Sequence, residues 1–297
     1  MIEKRREKWR WAVWLGMLIL ILVALVLWQR TPKFEEVIVE DESPEAVKIL
    51  FIGNSLTFLE HVPAQFVDIA RAQNADQKLV VKQVAYPDYT LRDHWNRKRA
   101  VKAIEAEDWD YVVLQGHSKE PIKQPKVLRQ YVKLFDEEIQ EAHAKTVLYT
   151  TWTDFDRQDL HDQILKVFDG LSKNTNITMA PVGESMYLCL KKYPDITLLQ
   201  PDKHHATDNG AYLVAATLYM TIFRNSIKVD TSNLPLANKT IDPSIQKRLD
   251  EIALAACQLH HLNIKTASEP TPLPDSTEAQ SKNGENVKEE TADPELK

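Results

Sequence analysis

Residues 47–58 read VKILFIGNSLTF. The largely apolar run 47–52 has the length and the β-branched content of a buried strand. It stops abruptly at Gly53-Asn54-Ser55. One reading of that stop is a turn, with Asn54 or Ser55 capping the helix that follows. The other is a nucleophile. A serine just past a strand end is exposed at the edge of a sheet, and it needs a base elsewhere in the chain, because a free hydroxyl attacks weakly.

Strand-like and helix-like patterns alternate downstream. Leu79–Ala85, Tyr111–Gln115, 146–150 and 177–180 read as further strands. Helical periodicity begins near Pro63, with Phe66, Ile69 and Ala70 on one face. It returns over 91–106, over 126–143 with Leu128, Val132, Phe135 and Ile139 apolar, over 156–173, and late in the chain over Asp208–Phe223 and 244–259. The alternation predicts a three-layer α/β/α sandwich around a mostly parallel, flavodoxin-like sheet, which places ligands at the carboxyl ends of its strands. The chain has only seven glycines. Gly53, Gly116 and Gly183 follow predicted strands, and Gly210 lies in the loop-to-helix segment that holds His205.

That loop carries the second chemistry-bearing stretch, PDKHHATDNGAY at 201–212. Asp202 and His205 are three residues apart, a spacing that lets the carboxylate reach the imidazole locally, fix its tautomer and stabilise the imidazolium. A polar loop or a weak metal site is the competing reading of a His pair. No other candidate ligands converge on it, so neither metal nor cofactor is expected.

Gly53-Asn54-Ser55-Leu56 after a first strand, with Asp-x-x-His before the last domain helix and a glycine five residues after the histidine, resembles the SGNH (GDSL-like) hydrolase superfamily. The resemblance runs from about 47 to 225. It implies Ser55 as nucleophile, His205 as general base and Asp202 as its orienter, with His204 as the other candidate base. It also implies oxyanion donors from two middle blocks, and there the sequence departs. After the second strand it reads Ala85-Tyr86-Pro87-Asp88-Tyr89, with no glycine; the N–H of Asp88 or Tyr89 remains available, while Pro87 has none. A carboxylate beside a developing oxyanion is unfavourable unless it points away. After the third strand stands Leu114-Gln115-Gly116-His117-Ser118, similar to Gln-Gly-x-Ser variants of acetylesterase-type branches. Gln115 then supplies the side-chain donor, with His117 as a second candidate and Asn54 at the mouth; alternatively Gln115 satisfies loop backbone. Trp152, Asp154, Phe155 and Asp156 follow the fourth strand at the same edge as candidate pocket residues, and Pro181-Val182-Gly183-Glu184 as a wall.

Both chain ends differ from this core. Residues 11–28 hold no charged side chain and would span roughly 27 Å as a helix, close to the ~30 Å hydrocarbon core. Tryptophans flank the run, and Lys4, Arg5, Arg6, Lys8 and Arg10 precede it. The run is longer than the apolar stretch of a signal peptide, and no small-x-small pair follows. The expected organisation is a cytoplasmic basic segment 1–10, a transmembrane anchor 11–30, an acidic linker 31–45, a hydrolase domain 46–265 and a disordered acidic tail 266–297. The net charge of -6 argues against a nucleic-acid partner. Cys189 and Cys257 suggest two buried thiols rather than a disulfide framework. The apolar run and its basic flank read as a single-pass cell-membrane anchor with the domain extracytoplasmic, periplasmic or extracellular. The resemblance, given that compartment, implies that the domain removes O-acyl, acetyl-like groups from a carbohydrate or cell-envelope glycan. Two alternatives remain: an O-acyltransferase using the same triad, and a catalytically weak or inactive glycan-binding protein, which Asp88 favours.

Overall fold

The computed structural model describes residues 34–153, 155–173, 175–228 and 240–266, with the isolated positions 14 and 17. Segment 1–10, nearly all of the predicted anchor 11–30 and the tail beyond 266 lie outside the described residues. Among those described, no helix is long and apolar enough to cross a membrane.

The sheet has strands β1 (Glu35–Glu40), β2 (Val47–Gly53), β3 (Leu79–Ala85), β4 (Tyr111–Gln115), β5 (Lys145–Tyr149) and β6 (Thr178–Ala180) in the order β1-β3-β2-β4-β5-β6. All neighbours pair in parallel except β1, which runs antiparallel on β3. The pairs Gly53↔Ala85, Gln115↔Tyr149 and Tyr149↔Ala180, with Ile52↔Leu114 one step inside, set the five parallel strand ends level. Every loop leaving this row opens on one edge.

Alternation along the strands makes the three layers. Ile49, Phe51, Val81, Val113, Val147 and Tyr149 enter one core, and Leu50, Ile52, Val80, Val112, Leu114 and Leu148 the other. After the short α1 (Ser55–Phe58), the first core is covered by α2 (Val62–Gln73) and by three later helices. The second is covered by α3 (Leu91–Arg97), α4 (Arg99–Glu105) and, past the single turn α5 (Glu120–Lys123), by α6 (Pro125–Glu141) and α7 (His161–Ser172). The three later helices of the first core are α8 (Val182–Lys192), α9 (Asp208–Phe223) and α10 (Pro243–Leu259). Helix α9 is buried on nearly all sides, so it reads as apolar throughout rather than amphipathic. Cys189 and Cys257 are free and buried in this layer, and burial pushes each thiol up to about 12.

Three expectations are corrected. Segment 31–45 is not wholly a linker, because residues 35–40 form β1. An edge strand has one pairing partner and tolerates charge on its outer side, so Glu-Glu-Val-Ile-Val-Glu conceals a strand. The single predicted helix 91–106 breaks at Lys98, whose φ is 60°. Gly183 and Gly210 lie in the first turns of α8 and α9 rather than in loops, and among the described residues no glycine has a positive φ. They allow close approach: a Cβ on Gly183 would stand 2.3 Å from the Thr151 carbonyl oxygen.

Candidate active site

Strand β2 hands directly into α1, and four hydrogen bonds define that turn. Asn54 is the cap: its Oδ1 accepts from Leu56 N at 3.1 Å, and its Nδ2 donates to the Tyr89 carbonyl at 3.0 Å. The Asn54 N–H and the Thr57 hydroxyl both donate to Gln115 Oε1, at 2.8 and 2.9 Å. A Cβ at Gly53 would lie 2.3 Å from Thr57 Oγ1 and 2.5 Å from Gln115 Oε1, so only glycine lets this crossing close. Ser55 is thus the first residue of a helix, and its N–H has no intrahelical acceptor. The turn reading and the nucleophile reading divide between neighbours: Asn54 makes the cap and leaves the Ser55 hydroxyl uncommitted to it.

The histidine loop folds on itself. Gln200 N donates to the His205 carbonyl at 2.7 Å, and an isolated bridge joins Leu199 to Ala206. Lys203 takes a φ of 62°, which turns the chain so that both His204 N and His205 N donate to Asp202 Oδ1, at 2.9 and 3.0 Å. The other carboxylate oxygen, Oδ2, stands 2.6 Å from His205 Nδ1, and His205 Nε2 stands 2.9 Å from Ser55 Oγ. With Nδ1–H donated to Asp202, Nε2 is the lone-pair nitrogen facing the serine. Desolvation pushes the Asp202 carboxyl up, but its bonds from the His205 ring and the two backbone N–H groups outweigh this and hold it at about 2. His204 belongs elsewhere: its Nε2 is 3.4 Å from Ser118 Oγ, and its carbonyl accepts from Trp152 Nε1 at 2.9 Å.

No family model and no curated protein matches the chain. Solved structures do. A candidate SGNH hydrolase from Slackia heliotrinireducens superposes with a TM-score of 0.52 at 25% identity, covering 60% of this chain and 100% of that one. A DUF4886 family protein from Bacteroides uniformis gives 0.58 at 17% identity, over 74% of this chain and 98% of that one. A catalytic mutant of Axe2, an acetylxylan esterase from Geobacillus stearothermophilus, gives 0.50 at 16% identity, over 62% and 95%. The chain has the SGNH-hydrolase fold.

Within that fold, the loop after β3 that lacks the expected glycine is well defined. Asp88 stands where the loop after β3 turns, with φ at 57°. This is left-handed backbone, and Asp is among the few non-glycine types that enter it readily. The loop is fixed by Tyr86 N donating to the Gly53 carbonyl at 3.1 Å and by Tyr89 N donating to the Tyr86 carbonyl at 3.3 Å. Asp88 itself is exposed.

After β4, Gln115 is 1% exposed. Its Oε1 accepts the two bonds from the turn that holds Ser55, and its Nε2 donates to the Gly116 carbonyl, so the amide satisfies groups of the loops at this edge. Asn54 makes the cap of α1. His117 is the other donor candidate that the resemblance pointed to. Its Nδ1 accepts the Lys119 N–H at 3.2 Å, which places the ring proton on Nε2. Burial lowers its pKa, opposed by the Asp88 carboxylate, so the neutral N–H donor form is favoured.

Sequence reasoning missed three supports. His94 Nε2 lies 2.7 Å from the Gly53 carbonyl, and its ring packs edge-on to Tyr89 with centroids 5.1 Å apart. Tyr149 OH, fully buried, donates to the Leu56 carbonyl at 3.1 Å. Gln200 Nε2 bridges the Ala206 carbonyl, at 2.8 Å, and Glu60 Oε1, at 3.2 Å, tying the histidine loop to the turn after α1. Each acts across long sequence separation and leaves no local motif. Trp152 is buried; Asp154 and the side chains of Phe155 and Asp156 lie outside the described residues. Among the described residues no cluster of metal-ligating side chains occurs.

Proposed function

We propose that this protein is a serine ester hydrolase in which Ser55 is the nucleophile, His205 the general base and Asp202 its orienting carboxylate. The observation that carries this is the continuous line Asp202–His205–Ser55, with contacts of 2.6 and 2.9 Å. Ser55 Oγ attacks the ester carbonyl carbon while its proton passes to His205 Nε2. Asp202, ionised above about pH 2, stabilises the imidazolium. The oxyanion faces the N–H groups of Ser55 and Asp88 and the Nε2–H of His117. His205 then protonates the leaving alcohol oxygen. Water, deprotonated by the same nitrogen, hydrolyses the acyl-enzyme and returns Ser55 to its resting form.

The finer reading is an O-acyl, acetyl-like group on a carbohydrate or cell-envelope glycan, with the domain outside the cytoplasm. The apolar run 11–28 and its basic flank support the compartment, and an acetylxylan esterase shares the fold. Residue 34 enters beside Ala85, at the level of Gly53. An anchor ending at residue 30 would therefore hold the site within about 14 Å of chain from the bilayer. The inactive alternative rested on Asp88, and its left-handed φ and exposed side chain weaken that objection.

Covalent labelling by a fluorophosphonate tests the proposal. Wild type labels, and Ser55→Ala does not. Turnover of a soluble acetyl ester falls by roughly 10⁶-fold in Ser55→Ala and His205→Ala, as in triads that act as a unit. His204→Ala keeps most of it. Folded wild type that resists the label would remove the hydrolase reading.

A further inference from the structure

A cleft of about 340 Å³ opens beside the triad. One wall is Ser118, Lys119, Ile122 and Lys123 from the loop after β4 and from α5; the other includes Trp152, Arg157 and Ile164. Its floor adjoins the catalytic histidine. Ser118 Oγ is 3.4 Å from His204 Nε2, Trp152 Nε1 donates to the His204 carbonyl at 2.9 Å, and the His204 and His205 rings lie 5.0 Å apart. A substrate esterified at Ser55 would extend one of its halves past His204 into this space.

The charges of the cleft are of one sign among its described lining residues. Arg157 is paired to Asp159, at 3.2 and 3.3 Å. Lys119 and Lys123 are not paired. Lys123 N donates to the Lys119 carbonyl, so the two stand one turn apart, both exposed, and neither ammonium meets a carboxylate among the described residues. The acid between them, Glu120, is turned inward: it is 5% exposed and its Oε2 accepts the His117 N–H at 3.1 Å. Two like charges held one turn apart repel each other, and an anion between them would relieve that. The apolar side chains of Ile122, Trp152 and Ile164 lower the local dielectric and strengthen the attraction.

We propose that this cleft is a subsite for an anionic group, a carboxylate or phosphate, carried by the ester substrate next to the scissile bond. The inference rests on the hydrolase reading and narrows its substrate class to acidic glycans or other acidic esters. Lysine binds either anion as a point charge, so both sources fit.

The test compares three esters in one buffer: an O-acetylated neutral hexose, an O-acetylated hexuronate and an O-acetylated hexose phosphate. For wild type, kcat/KM for at least one anionic ester exceeds that for the neutral one by tenfold or more, about one charge-assisted contact. The ratio of anionic to neutral kcat/KM falls at least tenfold in Lys119→Glu/Lys123→Glu, and Lys123→Arg retains it. Because the ratio is taken within each variant, loss of folded enzyme cancels. Whichever anionic ester gives the larger ratio identifies the source. A wild type that turns over the neutral ester with no preference, or a ratio the double variant leaves unchanged, overturns the subsite and leaves the hydrolase intact. If no ester is turned over and no fluorophosphonate label forms, the hydrolase reading fails instead. Calorimetric binding of free hexuronate and hexose phosphate then decides the cleft: binding lost in the double variant supports it, and no binding to wild type overturns it.

Discussion

Asp88 takes a φ of 57° in the exposed turn after β3, a backbone conformation that glycine enters without strain and Asp more readily than most residues. Replacing it tests which property matters. Asp88→Gly keeps the N–H and relieves a left-handed residue, so stability should change by no more than about 1 kcal/mol in urea denaturation and esterase turnover should persist. Asp88→Val, β-branched, should cost roughly 1–2 kcal/mol and lower turnover as the loop shifts. Lost turnover in the glycine variant with normal stability would instead assign the carboxylate itself a catalytic task. The direction of Gln115 is likewise set from a distance, by Asn54 and Thr57, some 60 residues away in sequence.

At the scale of elements, the site is held by contacts between the ends of strands and the loops that leave them. His94 links α3 to the end of β2 through the Gly53 carbonyl. Its ring is 1% exposed, and Nδ1 has no hydrogen-bond partner. Burial depresses its pKa from 6.5 to about 4, against the opposing pull of the Gly53 carbonyl. Between those values the unfolded chain binds a proton that the folded protein refuses. This contribution to stability is therefore intact above pH 6.5 and is lost as pH falls toward 4, by about 3 kcal/mol in total. Denaturation midpoints measured from pH 7 to pH 4 should show that decline, and His94→Gln, which keeps a donor to Gly53, should flatten it. An equal slope in the variant would place the acid sensitivity elsewhere. The elements themselves were legible where an apolar run has the length of a buried strand, as in β2, β3 and β4, or of a buried helix, as in α9. The hidden ones were β1, masked by its glutamates at the sheet edge, and α8, which follows a three-residue strand with only Pro181 between them.

At the scale of the whole molecule, the chain enters the domain through the catalytic edge. The Phe34 carbonyl accepts the Ala85 N–H at 2.7 Å, and its ring lies 5.4 Å from both Phe58 and Tyr86. Tyr86 OH is bonded in turn to Glu35 and Arg99. A chain beginning at residue 34 should melt and turn over esters like the full protein. The proposed anchor predicts that it stays in the aqueous phase while the full protein partitions to membranes, and equal partitioning of the two would remove the anchor. A chain beginning at 46 strips β1 from β3 and removes the ring between Phe58 and Tyr86. Its melting temperature should drop by several degrees, as loss of one or two kcal/mol would cause. Equal melting of the two truncations would show that β1 is dispensable.

The alternating α/β order and the local Asp202–His205 pair could be read from the amino-acid order alone, and the resemblance pointed from them to Ser55. These follow from periodicity and from spacings of a few residues, which local chemistry fixes. Long-range folding settles what spacing cannot: Ser55 meets His205 across 150 residues, Gln115 Oε1 braces the turn that holds Ser55, and a cleft bearing two lysines lies beside His204. Side-chain direction at a strand end is set by whichever neighbouring loop offers the better hydrogen bonds. That competition exists only once the level row of Ala85, Gly53, Gln115, Tyr149 and Ala180 has been assembled.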